Sequence, residues 1–193
     1  MLKGYKKIVV FFIIVILGSV IGVLGSSTFL NLRAIAPFWP ASAIQALSGL
    51  LFGFTGAFAG AFFPIISNIA SGIPTNLVVL LVLPNLIQSF LPLIVMHVIK
   101  FTPYKFNYKT IVSFIFLCVV LPNVLSAWWV SNINFFTVTN PVANPRLMVF
   151  LLWLKSNIPS GIIFGLLLLK TLAPALKNCE FYSEQVESDD VEA

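Results

Sequence analysis

Acidic residues are missing from almost the whole of this chain. All six carboxylates of its 193 residues sit at Glu180, Glu184, Glu187, Asp189, Asp190 and Glu192, so residues 1–179 contain no Asp or Glu. That absence excludes carboxylate proton relays, carboxylate metal sites and paired-acid catalysis from the body of the protein. It also leaves every Lys and Arg before residue 180 without a salt-bridge partner in that body. Histidine is represented once, at His97, and cysteine twice, at Cys118 and Cys179. Neither count supports a metal cage or a Cys/His nucleophile. Cys118 lies within an apolar run and Cys179 beyond the last one, which argues against a disulfide between them. No acid, base, nucleophile or metal constellation remains, so an enzyme is the least favoured class and no cofactor is implied.

Charge of either sign is scarce as well. Charged residues are 9% of the chain and apolar residues 59%, whereas a soluble domain carries about a quarter charged residues to solvate its surface. The composition describes an all-α, multi-pass membrane protein, and nucleic acid is not an expected partner. Spans need about 20 apolar residues each, and six candidates occur, at about 8–25, 38–54, 56–72, 76–99, 110–131 and 147–169. The first resembles a signal peptide in its basic start, but its apolar run is longer than usual, and an uncleaved span is expected. The second and third are short, are separated only by FGFTG, and carry Ser42, Gln45, Ser67 and Asn68. One or both are therefore expected to be tilted or partly re-entrant. Pro84, Pro92, Pro122 and Pro159 interrupt the last three, predicting kinks whose freed carbonyls need local partners.

Lys and Arg set the expected orientation. With the amino terminus inside, six spans put Lys3, Lys6, Lys7, Lys100, Lys105, Lys109, Lys170 and Lys177 on the cytoplasmic side and only Arg33 and Arg146 outside. The reading is a compact bundle of six transmembrane helices over residues 1–176, both termini cytoplasmic, in the cell membrane. Residues 177–193 then form a short, acidic, disordered cytoplasmic tail.

Several features carry chemistry. In GLLFGFTGAFAGA (49–61), small residues recur every fourth position, a spacing that lets helix backbones approach closely. Internal packing is the better reading there. Gly18 and Gly22 repeat the spacing in the first span, where a partner subunit is an equal alternative. The stretch VLPN occurs at 82–85 and again at 120–123, an echo that either marks a pair of broken helices around a binding site or a shared way of bending. Trp39, Trp128 and Trp129 fall at the expected outer boundary and Trp153 about a turn deeper. Belt behaviour accounts for Trp129, while Trp39 and Trp128 are candidates to wall an outward-facing pocket. The amides Gln45, Asn68, Asn85, Gln88, Asn123, Asn132 and Asn157 are costly against lipid and should face the interior. Without carboxylates they suit an uncharged or anionic solute better than a cation. Lys155 stands alone within the last span, its backbone about 12 Å below the outer end. Either carbonyls freed at Pro159 hold its ammonium, or it meets a bound anion.

FWPASAIQALSGLLFGFTGAFAG followed by ISNIASG resembles the opening half of the substrate-binding S components of energy-coupling-factor vitamin transporters. WLKSNIPSGIIFGLLLLKTLAP is similar to the closing span of the related vitamin-uptake-like sensor membrane domains. The Trp39–Pro40 step is also similar to another family of membrane sensor domains, which usually have more spans. The first resemblance implies a bundle that captures a vitamin-like micronutrient near its outer face and works with a membrane scaffold subunit and two ATPases. No G-x-x-x-x-G-K phosphate loop occurs in this chain to replace them. The resemblance places the scaffold contact on the first helix, where Gly18 and Gly22 stand in for the family's alanines. Together with the residue reading, it puts the solute between the outer ends of spans four to six, under the loop around Arg33–Trp39. The expected site is Lys155, Asn157, Trp128, Asn123, Gln88, Asn85 and Trp39. The rival expectation is a membrane sensor that reports a ligand to a cytoplasmic signalling partner. A third is an accessory protein that only packs against another complex.

Overall fold

A computed structural model describes residues 2–27, 38–100, 102–134 and 144–177. Arg33, Cys179 and the acidic tail expected after residue 176 lie outside the described residues, apart from the last helical residue, Lys177. Five helices among the described residues are long and apolar enough to cross a membrane, which marks the chain as a multi-pass membrane protein. They are α1 (Leu2–Ser27), α2 (Ala41–Ala70), α3 (Thr75–Val98), α4 (Tyr108–Ser131) and α5 (Pro145–Lys177). The count differs from six because the second and third expected spans are two limbs of the single element α2.

Gly53 divides those limbs. Its φ of 58° and ψ of −142° fall in a region that only glycine occupies without strain. On a straight helix Ser48 and Gly60 would be about 18 Å apart. Instead, a Cβ added to Gly60 would collide with the Ser48 hydroxyl, and one on Gly56 with the Ser48 carbonyl. Ala41 and Phe63 likewise share one apolar cluster. The element is therefore a helical hairpin, and its glycines are small because the two limbs touch. Residues 41–52 make about 18 Å of helix and residues 54–70 about 25 Å, each short of the roughly 30 Å hydrocarbon layer.

Helix directions follow from the contacts. Gly18 meets Phe63 and Gly22 meets Ser67, so α1 runs parallel to the second limb of α2. The first limb runs parallel to α3, through the steps Gln45–Asn85 and Gly49–Ser89, and parallel to α5. Ser126 and Trp129 of α4 meet Pro84 and Leu80 of α3 in antiparallel sense. One apolar cluster joins Leu50, Val95, Phe114 and Leu169 at one end of the bundle, and another joins Leu77, Val130 and Val149 towards the other. These directions bring Lys6, Lys7, Lys100, Lys109 and Lys170 to a common end and Arg146 to the opposite one. Lys170 lies 5.9 Å from the ring centre of Phe106 at the basic end.

Local adjustments accompany Pro84 in α3 and Pro122 in α4. Pro84 has no N–H for the Leu80 carbonyl, and the indole N–H of Trp129 donates to that oxygen instead, at 3.0 Å. In α4, residues Phe114–Val120 widen into a π-helical turn immediately before Leu121–Pro122, which makes room for the proline ring.

Candidate functional site

Two groups of buried polar side chains lie inside this apolar bundle. The first ties the start of α2 to α5. The Trp39 N–H donates to the Ser156 carbonyl at 3.1 Å, which sets the mouth of α2 about 16 Å along α5 from Pro145. Ser42 Oγ donates to the Asn157 carbonyl at 3.0 Å and lies 3.2 Å from Ser160 Oγ. The Ser160 hydroxyl reaches the Trp39 carbonyl at 2.8 Å, the Ser156 carbonyl at 2.8 Å and the Asn157 carbonyl at 3.0 Å. Asn157 Nδ2 donates to the Trp153 carbonyl at 3.0 Å. No side-chain atom of Ser42, Asn157 or Ser160 is buried without a partner. A half-length helix that begins inside the bundle must have its mouth hydrogen-bonded by protein, and this clamp does that.

The second group lies between the first limb of α2, α3 and α4. Gln45 Nε2 donates to Asn85 Oδ1 at 3.1 Å. Ser126 Oγ donates to the Pro84 carbonyl at 3.0 Å, and one turn further along the antiparallel helices Asn123 comes level with Gln88. Asn123 Nδ2 donates to the Val119 carbonyl at 2.9 Å. Here satisfaction stops. Gln45 Oε1, both amide atoms of Gln88, Ser89 Oγ and Asn123 Oδ1 are buried with no hydrogen-bond partner. Gln45 and Ser89 are 0% exposed, Gln88 and Asn123 3%. Trp153, which packs against the adjoining Leu77–Leu81–Val130–Val149 cluster, has an equally orphaned indole N–H. Each such group costs about 1–3 kcal/mol. Exchanging the O and N of an amide rescues many apparent orphans, but not Gln88, where both ends lack a partner.

The structure sorts the expected site residues into separate places. Asn85, Gln88 and Asn123 come together in the second group. Trp39 and Asn157 belong to the clamp, Trp39 through its backbone N–H and carbonyl and Asn157 through its backbone carbonyl and its Nδ2. Trp128 is 63% exposed and turned away from the interior, so it walls no pocket with Trp39. Lys155 is exposed on α5. It is two residues, about 200° of helical rotation, from the buried Asn157, so the two cannot face one solute. Gly18 and Gly22 are taken up internally. A Cβ on Gly18 would lie 2.5 Å from the Phe63 ring and one on Gly22 2.8 Å from Ser67, so both glycines make close contacts within the chain. Asn132 is exposed too, bonding the Trp128 carbonyl at 2.7 Å.

Sequence reading missed the part played by Gln45 and Ser89. The signal available for Gln45 and Ser89 was the four-residue spacing of small and polar positions on each helix, which puts Gln45 on the Gly49 face and Ser89 on the Asn85 face. Nearer the Arg146 end, a pocket of about 380 Å³ opens between α3 and α4, lined by Asn76, Leu80, Trp129, Asn132 and Asn134 among others. No protein-family model, curated protein or solved structure matches the chain.

Proposed function

We propose that this chain is the solute-capturing integral membrane component of a micronutrient uptake system in the cell membrane. The observation that carries the reading is the orphaned amide cluster, Gln88 above all. A bilayer supplies no water to satisfy polar groups, and buried polar side chains without partners call for an explanation beyond packing. A bound polar solute supplies those partners. The site is then centred on Gln45, Asn85, Gln88 and Asn123 rather than on Lys155.

Topology supports the same reading. Counting the α2 hairpin as two passes or as a re-entrant loop gives an even number either way, so both termini share a side. The excess of lysine at that end makes it cytoplasmic. The solute arrives from the Arg146 end, where the 380 Å³ pocket opens. Energy for uptake comes from a scaffold subunit and ATPases, as in the S-component transporters the sequence resembles.

The test is purification of the full chain in mild detergent, followed by mass spectrometry of co-purified small molecules. The expected result is one compound recovered in stoichiometric amount from the native protein and lost from Gln88→Leu. Recovery of no compound from cells grown under several nutrient conditions overturns the proposal.

A further inference from the structure

The orphaned atoms also constrain what kind of molecule satisfies them. Within the cluster they comprise acceptors (Gln45 Oε1, Gln88 Oε1, Asn123 Oδ1) and a donor (Gln88 Nε2), with Ser89 Oγ able to act as either. An anion only accepts, so it would leave three oxygens facing its charge. A cation only donates or is coordinated, so it would leave the Gln88 N–H groups stranded. Neither ion finds a counter-charge. No Asp or Glu occurs in residues 1–179, and Lys155, the cation nearest in sequence to the clamp, points outward. Burial of an unpaired ion in such a place is far more costly than burial of a neutral polar group.

Gln88 narrows the class further. A carboxamide carries its acceptor and one donor on the same edge, and that edge pairs with a complementary donor–acceptor edge through two parallel hydrogen bonds, as Asn and Gln do with adenine. Both halves of the Gln88 edge are open. Gln88 also stands midway between Pro84 and Pro92. Each proline removes one rung of the helix around it, and Pro92 has no N–H for the Gln88 carbonyl.

We infer that the solute recognised at the Gln45–Asn85–Gln88–Asn123 cluster is electrically neutral and presents a hydrogen-bond donor and acceptor side by side, as a lactam, a ureide or a primary amide does. This rests on the cluster being the binding site proposed above.

Four small probes test the inference on the full chain in lipid nanodiscs, by ligand-observed NMR with titration. Uracil and benzamide carry the edge, 1,3-dimethyluracil keeps the ring but has lost its donors, and benzoate has a charge in place of the amide. Uracil or benzamide is expected to bind, dimethyluracil to bind about tenfold more weakly than uracil or not at all, and benzoate not at all. Gln88→Leu abolishes binding, and Gln88→Met serves in its place should the leucine variant fail to fold. Benzoate or dimethyluracil binding as well as uracil, and lost with Gln88→Leu, overturns the inference while leaving the site intact. If all four probes are silent, the co-purified compound decides. A neutral molecule with the paired edge supports the inference and a charged one overturns it. Silence of the probes with no co-purified compound, as expected of a cluster filled by water alone, overturns the inference and the functional reading together.

Discussion

The two polar groups inside the bundle are built from the same kinds of residue and end in opposite conditions. In the clamp, the Ser42, Asn157 and Ser160 side chains find carbonyls within 2.8–3.0 Å. Between Gln45, Gln88, Ser89 and Asn123, five polar atoms find nothing. Both groups are as dry as the apolar core, so burial does not distinguish them. Hydrogen-bond completeness does. A complete network holds the mouth of a half-length helix against α5, and an incomplete one costs stability until something fills it. The contrast separates a structural polar site from the site proposed here to take a solute, without reference to residue type.

Substitutions test that contrast directly, and Gln88→Leu has the largest expected effect. It removes an unpaired amide and replaces it with hydrocarbon of similar size, which is neutral or stabilising in the empty protein. Thermal melting in detergent without solute should therefore show no loss, while solute affinity falls about a hundredfold. A lower melting temperature together with intact affinity would make Gln88 a structural residue. Ser160→Ala is next and should behave in the opposite way. The clamp loses its shared donor, stability falls by about 1–3 kcal/mol, and affinity per folded molecule stays the same. A matching loss of affinity would mean that the two groups are one site. Trp129→Phe strips the donor from the Leu80 carbonyl freed by Pro84 and should cost about 1 kcal/mol in the same melting assay. Lys155→Met is expected to do least. With its side chain outside the bundle, affinity should stay within about twofold of native, and a tenfold loss would return Lys155 to the site.

Much of this molecule could be read before its fold was known. The prolines identified where helices would need substitute partners, and Trp129 on the Leu80 carbonyl is such a partner. The VLPN echo placed Asn85 and Asn123 at matching steps on neighbouring helices, and both turn inward. The short second and third spans around FGFTG became one hairpin, turned at Gly53. Lys155 and Trp128 were read less well, for a physical reason. A soluble amphipathic helix records its inward face as an apolar stripe. A membrane helix has hydrocarbon on both sides, so hydropathy says nothing about which face meets lipid. Lys155 looked internal because its neighbours are apolar, and those neighbours face lipid as well as protein. Gly18 and Gly22 are a related case, since small residues at every fourth position announce a close neighbour without saying whether it belongs to the same chain.

The sequence by itself determined the solvent this protein lives in, the long apolar helices that cross it, and an interior without carboxylates. These follow from composition and from runs along the chain, which need no partner to be read. Only the tertiary structure decided which amides are satisfied. A hydrogen bond is a relation between two groups, and the Ser42 hydroxyl is satisfied because α5 brings the Asn157 carbonyl to meet it, whereas nothing is brought to the Gln88 amide.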